Sequence, residues 1–182
     1  MLRIVIPTTE FWDEKNNEFI SVKGCELQLE HSLVSISKWE SKWNRSFLSK
    51  VEKTNEETLD YIRCMTLTQN VNPEVYKCLT NADIVRISDY INAPMTAVHF
   101  FNDNDENRHN RTITSEVIYS WMIALNIPFE CQKWHLNRLL TLIRVCNIEN
   151  NKSKKSKKSS REIASRNAAL NAARRKQYNS KG

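Results

Sequence analysis

The two side chains best spaced to share a metal ion are Cys131 and His135. They lie four residues apart, and this spacing places two side chains on one face of a helix. No second such pair lies nearby, because the other histidines are isolated and no Cys-x-x-Cys spacing occurs. We therefore predict that both side chains serve packing and that the chain holds no metal.

The remaining candidates for catalysis or ion binding are weaker. The acidic run 103–106 lacks the glycine and the terminal glutamate of a calcium loop, so residues 102–111 are predicted to be a solvated polar loop. Ser115 and Glu116 are neighbours, but no third group orients them and no strained turn presents the hydroxyl. We predict no catalytic residue, and expect that the protein is not an enzyme.

The shortage of glycine excludes two ways of binding a nucleotide cofactor. Only Gly24 and Gly182 occur in the chain. A dinucleotide fingerprint and a phosphate loop both need several glycines where the backbone approaches phosphate. We therefore expect no cofactor. Aromatic side chains could instead stack on bases, but their helical spacing beside Leu and Ile predicts a core position for Trp39, Trp43, Trp121 and Trp134.

The positive charge is concentrated at the C-terminus. Residues 152–182 contain eleven Lys and Arg and one acid, whereas residues 1–151 contain 16 basic and 20 acidic residues. The tail could bind nucleic acid by counterion release, dock on an acidic protein, or only keep the chain soluble. The basic contacts expected there are Lys154, Lys155, Lys157, Lys158, Arg161, Arg166, Arg174, Arg175 and Lys176.

The first thirty residues predict a small antiparallel β element. Residues 2–6 alternate, and residues 11–22 contain two apolar runs around a turn-like polar stretch, which is typical of a hairpin. After Gly24, residues 25–31 alternate again between apolar and polar side chains. We therefore predict that residues 1–33 form a β element that packs on the remainder of the chain.

Capping patterns predict helices in the central part. Ser35 or Ser37 could cap a helix that carries Trp39 and Trp43. Thr54 with Glu57 forms a capping box. A further helix start is Asn72 followed by proline at the first helical position. Another helix is indicated by isoleucines at spacings of three and four, namely Ile84, Ile87 and Ile91.

Two strongly apolar helices are predicted next. Thr114 caps the first, which proline at 128 ends, and the second covers about 130–146. They have too little polar surface to stand alone, so they are either core or core plus an interface. The helical core domain is therefore 34–149, and the fold class is mainly α (α+β).

A change of composition marks the C-terminal region, 150–182. Residues 150–160 are predicted to be a charged linker, and Ser160 could cap a last helix rich in alanine and arginine. The five scattered cysteines predict reduced thiols and a cytoplasmic setting. No run of about 20 apolar residues occurs, so we expect no membrane span.

Four segments resemble proteins from the structural modules of tailed bacteriophages. They are ISKWESKW at 36–43, TLDYIRCMT at 58–66, EVIYSWMIALNIPFECQKWHLNRLLTLI at 116–143, and the ending NAALNAARR at 167–175. The pattern is similar to that of tail assembly chaperones of long-tailed, siphovirus-type phages, and it covers most of residues 35–178.

The resemblance implies a mechanical role in the host cytoplasm. Such chaperones coat the tape measure protein, deliver tail tube protein, self-associate, and are generally absent from the finished particle. The apolar pair at 114–147 would then offer the partner surface. Two other hypotheses for the function stay open. The protein could be a structural virion component of neck, tail or baseplate, or a nucleic-acid-binding packaging or scaffold protein. The partner contacts expected on the chaperone reading are Trp121, Trp134, Leu136, Leu139, Leu140 and Ile143.

Overall fold

A computed structural model describes residues 1–13, 17–98 and 112–178, and gives the backbone alone at 11, 13 and 152–162. The chain divides into two units, Met1–Leu142 and Ile143–Gly182. Antiparallel strands come first and helices follow, so the structure is mainly helical and of the predicted α+β class. The boundary between the units lies earlier than the predicted start of the tail at 150.

Four strands form the predicted β element. They are β1 (Leu2–Ile6), β2 (Thr9–Asp13), β3 (Glu18–Val22) and β4 (Cys25–Leu29). β1 pairs with β4 and β2 pairs with β3, both antiparallel and in one continuous register. Together they make a long two-stranded hairpin. Of the predicted turn, residues 14–16 lie outside the described part of the chain.

The hairpin is interrupted where Pro7 and Thr8 pass Gly24. A Cβ at Gly24 would lie 2.8 Å from the backbone nitrogen of Thr8 and 2.9 Å from the carbonyl oxygen of Ile6. The amide of Gly24 donates to Oγ1 of Thr8 at 3.0 Å. Glycine is therefore required here by the close approach of the two backbones.

The hairpin has one buried and one exposed face along β1 and β4. Ile4, Ile6, Leu27 and Leu29 are fully or almost fully buried, while Val5 between them is exposed. This is the period of two that the alternating pattern predicts. On β2 and β3, Trp12 and Phe19 face each other across the ladder and are both exposed, their ring centroids 4.8 Å apart.

The first helix, α1 (Leu33–Trp43), packs against several later elements of the first unit. Its N-cap is Ser32, which forms a capping box with Ser35, so the predicted cap at Ser35 or Ser37 is wrong. The alternating strand pattern of residues 25–31 continues up to Ser32, so the sequence did not indicate a helix start there. The helix ends at Asn44, which adopts a left-handed conformation with φ 52°.

The next elements begin where the capping patterns predict. Helix α2 (Asn55–Met65) has the capping box of Thr54 and Glu57, and a 3₁₀ helix (Pro73–Cys78) is capped by Asn72. Helix α3 (Asn81–Asn92) contains the three isoleucines. The predicted starts of α2 and of the 3₁₀ helix are confirmed, because a cap is a local interaction.

The predicted helix over 130–146 is wrong in its first part. After α4 (Ser115–Ala124) comes a 3₁₀ helix (Phe129–Lys133), and α5 (Leu136–Gln177) begins only after His135. The amide of Leu136 donates to the carbonyl of His31 at 2.7 Å, which holds the chain off the helical path at this point. A contact between distant segments therefore breaks the predicted helix.

The second unit is helical from its start at Ile143 to Gln177. The backbone is helical through 150–160, so the last helix does not begin at Ser160 as predicted, and this stretch contains no proline or glycine that would interrupt a helix. All described side chains from 163 to 178 are exposed. Among the described residues, no helix combines the length and apolar character that crossing a membrane requires.

Candidate functional site

The structure places Cys131 and His135 in packing roles. Cys131 is buried in a 3₁₀ helix and His135 follows that helix, so they do not share a helix face. Nε2 of His135 donates to the carbonyl of Tyr90 at 2.9 Å, and Nδ1 accepts from the amide of Asn137 at 3.3 Å. Both nitrogens are thus occupied, and the described residues contain no cluster of three or more metal-ligating side chains.

The other candidates for chemistry do not form a site in the described residues. The acidic run Asp103, Asp105 and Glu106 lies outside them. Ser115 is buried at the first position of α4, and its amide donates to a carboxylate oxygen of Glu40 at 2.7 Å. Thr114 stands at the N-cap position as predicted, but its side chain makes no capping bond. Glu40 therefore accepts a hydrogen bond from the N-terminus of α4, although it lies 75 residues earlier in the chain.

A buried histidine pair links several elements of the first unit. The ring centroids of His31 and His135 lie 5.1 Å apart, and Nδ1 of His31 is 2.5 Å from the hydroxyl of Tyr61. Burial and the neighbouring His135 lower the pKa of His31 to about 3, and burial also lowers the pKa of His135. Both rings are therefore neutral at pH 7, which suits a structural role.

The paired tryptophans fasten α1 to α2. Trp39 is fully buried, and its Nε1 donates to the carbonyl of Glu57 at 3.0 Å. Nε1 of Trp43 donates to a carboxylate oxygen of Asp60 at 2.9 Å. These contacts make Trp39 and Trp43 part of the helix packing, as the spacing predicts, and Trp39 is not free to stack on a base. Trp121 and Trp134 are half-buried.

The predicted partner surface on 114–147 is largely closed. Leu136, Leu139 and Ile143 are buried, so a partner could reach them only by displacing their neighbours. The remaining three predicted contacts are half-buried: Trp121, Trp134 and Leu140. The apolar pattern showed that these helices must be covered, and the structure shows that much of the cover comes from the chain itself.

The basic residues of the tail divide into two groups. Arg166, Arg174, Arg175 and Lys176 are exposed on the helix of the second unit. For the other five the backbone alone is described, namely Lys154, Lys155, Lys157, Lys158 and Arg161.

An open apolar groove lies between α2 and α3. It consists of two cavities, of about 230 and 320 Å³, which share Thr58 and Ile84 in their walls and therefore adjoin. We call this space the α2–α3 groove. Its principal lining residues are Phe47, Lys53, Leu59, Tyr61, Ile62, Tyr76, Leu79, Ile84, Ile87 and Ile91.

The groove stays open because its two walls are anchored to different neighbours. Helix α2 packs on α1. Helix α3 is held to the β element, where the hydroxyl of Tyr90 donates to a carboxylate oxygen of Glu30 at 2.6 Å. Ile84 and Ile91 consequently remain only half-buried. Seven residues separate them, which corresponds to about 10 Å, or two helical turns, of apolar wall.

One charged side chain reaches into the apolar part of the groove. The ammonium of Lys53 lies 4.4 Å from the ring centroid of Phe47 and 5.9 Å from that of Trp39. Burial, and then the nearby Arg45, lower the pKa of Lys53. Sequence patterns did not reveal this site, because Lys53 stands in an irregular segment that only the tertiary fold brings to α3.

Comparison of the chain with family models, with curated proteins and with solved structures found no match. The features that bear on function are therefore the α2–α3 groove and the resemblance in the sequence.

Proposed function

We propose that this chain is an assembly chaperone of the phage tail, which binds an amphipathic helix of a partner in the α2–α3 groove. The partner is the tape measure protein, and tail tube protein is the cargo delivered to it. The observation that carries the proposal is the groove itself, which is apolar, open and about two helical turns long.

Helix recognition has a known physical form that this groove fits. An amphipathic helix presents apolar side chains at positions i, i+3 or i+4, and i+7, and lays them into an apolar cleft. Ile84, Ile87 and Ile91 offer a wall with the same periodicity. Covering their exposed parts with a partner's side chains removes apolar surface from water, which stabilises the complex.

The proposal includes a non-catalytic role in the host cytoplasm during assembly and association between copies of the chain. The exposed aromatic pair of Trp12 and Phe19 supports a second contact surface, because exposed aromatic side chains are typical of protein interfaces. This pair is separate from the groove in the chain, as it belongs to β2 and β3.

A second candidate function is binding of a polyanion through the tail. The observation that favours it is that every described side chain from 163 to 178 is exposed, those of Arg166, Arg174 and Arg175 among them. Such binding would depend steeply on salt, because it is driven by release of counterions.

The proposed groove function can be tested with two neighbouring substitutions on α3. Ile84 lines the groove, whereas Val85 beside it is 59% exposed and does not. We expect Ile84→Asp to weaken binding to tape measure fragments at least about tenfold, because a carboxylate would lie against apolar anchors. Val85→Asp should bind as the unchanged protein does. Binding is measured by calorimetry, and folding of each variant by circular dichroism.

A third variant covers the case in which Ile84→Asp does not fold. Ser88 is exposed and also lines the groove, so Ser88→Trp fills the space without removing a core contact. If Ser88→Trp and Ile84→Asp both bind tape measure fragments normally while folded, the groove is not the binding site and the proposal is wrong.

A further inference from the structure

We propose that Lys53 determines the specificity of the α2–α3 groove by binding a carboxylate, so that the groove selects acidic amphipathic helices. This inference rests on the proposed function and names the chemistry of its partner.

Lys53 lies at the apolar wall of the groove. Its side chain is half-buried and lines the same cavity as Phe47, Tyr61 and Ile62. The ammonium lies over the face of Phe47, which orients the charge at the apolar wall. A helix that fills the cavity would therefore place its side chains beside this cation.

Within the described residues, Lys53 has no carboxylate of its own, because the acidic groups near it are bound to other donors. The carboxylate that acts on it electrostatically, Glu57, accepts from Nη2 of Arg45 at 2.9 Å and from the amide of Thr54 at 2.7 Å. Asp60 is likewise occupied, by Lys42 and Trp43. In the described part of the chain Lys53 makes no salt bridge.

The positive charge of Lys53 is therefore poorly stabilised in the free protein, and a bound partner would stabilise it. Burial and Arg45 both disfavour its charged form, which is the direction of its lowered pKa. A partner carboxylate would replace part of the solvation that burial removes from the ammonium, and would favour its charged form. The gain appears only in the complex, so it adds to selection as well as to affinity.

The whole groove carries positive charge. The residues that line the two cavities include Lys53 and Lys77 and no Asp or Glu, although residues 1–151 carry more acids than bases. Lys77 forms an ion pair with Glu74, which lies outside the lining. A basic helix would meet charge of its own sign here, whereas an acidic one would be complementary.

The test compares peptides that differ by one charge. A set of short amphipathic peptides carries a single Glu that is moved along the edge of the apolar stripe, and each peptide has a Gln counterpart. Binding to the full chain is measured by fluorescence anisotropy, for the unchanged protein, Lys53→Met and Lys53→Arg. Lys50→Met is the control, because Lys50 is exposed and does not line the groove.

The expected result is that one Glu position binds the unchanged protein about tenfold more tightly than its Gln counterpart. Lys53→Met should abolish this preference while the Gln peptides bind as before. Lys53→Arg and Lys50→Met should keep it.

Three results would overturn the inference, and they differ in what they say of the proposed function. If every Glu and Gln pair binds equally well, and Ile84→Asp abolishes that binding, then Lys53 is not selective but the groove function stands. If neither the peptides nor tape measure fragments bind, both proposals fall. If no peptide binds and light scattering shows self-association that Ile84→Asp abolishes, a second copy of this chain occupies the groove.

Discussion

His31 and His135 lie in contact inside the first unit, where burial keeps both rings uncharged. The hydroxyl of Tyr61 on α2 contacts His31, and His135 contacts it from the residue before α5. The ring centroid of Phe47 lies 6.3 Å from that of His31. The pKa of His31 is about 3 in the folded chain, compared with about 6.5 in an unfolded one. The unfolded chain therefore binds more protons below pH 6.5, and acid should favour unfolding.

We predict that His31 makes the free energy of unfolding fall as the pH is lowered from 6.5 towards 3. The loss should reach roughly 2 to 3 kcal/mol at pH 4.5, because each pH unit between the two pKa values contributes about 1.4 kcal/mol. Urea unfolding at pH 7.5, 5.5 and 4.5 measures it. In His31→Gln, which can still bond to Tyr61, the dependence between pH 6.5 and 4.5 should flatten. An unchanged slope in this variant would contradict the assignment.

Single residues also show where sequence patterns succeed. The capping box of Thr54 and Glu57 was predictable, because its partners are three residues apart. The carboxylate of Glu40 was not, because it accepts from the amides of Phe47 and Ser115, and the second of these is distant in the chain. Lys53 was missed for the same reason, since its neighbours come from three separate segments.

At the scale of elements, the β hairpin depends on one crossing point. Gly24 is the only glycine inside the chain, and it lies against the backbone of Ile6 and Thr8 on the opposite strand. A side chain at position 24 would meet main-chain atoms, and these cannot rotate out of the way as a flexible side chain can. The hairpin must shift as a whole to accept a methyl group.

We therefore predict that Gly24→Ala lowers the free energy of unfolding by about 1 to 3 kcal/mol, the usual range for overpacking. Lys23→Ala is the matched control, because Lys23 is adjacent and exposed. It should leave stability within about 0.5 kcal/mol of the unchanged protein. Chemical unfolding followed by tryptophan fluorescence compares them, and equal stability of the two variants would show that the crossing is not tight.

The elements themselves were predictable to different degrees. The alternating pattern indicates β1 and β4, because one face of the hairpin is buried along them, and two apolar runs around a polar stretch indicate β2 and β3. The break before α5 was not predictable, since it depends on the hydrogen bond from Leu136 to the carbonyl of His31. The open side of α3 could not be foreseen either. Its isoleucines have the spacing of a core helix, and only the separate anchoring of α2 and α3 leaves Ile84 and Ile91 partly uncovered.

At the scale of the whole molecule, the groove and the C-terminal helix differ in charge and apolar character, so they favour two different kinds of partner. The groove of the first unit is apolar and lined by two lysines, and it suits an acidic amphipathic helix. The helix of the second unit is exposed and strongly basic, and it suits any polyanion. Binding in the groove depends mainly on apolar contact, so it should survive salt better than binding through the tail, which salt screens.

The most direct measurement of the central claim is size exclusion coupled to light scattering. The purified chain is mixed with tape measure fragments and, separately, with duplex DNA, at low and at physiological salt. We predict a complex with a tape measure fragment that persists at physiological salt and is lost in Ile84→Asp but kept in Val85→Asp. The account would be contradicted if the chain formed a salt-sensitive complex with DNA and no complex with any tape measure fragment. That result would indicate that the basic tail, and not the groove, is the functional surface.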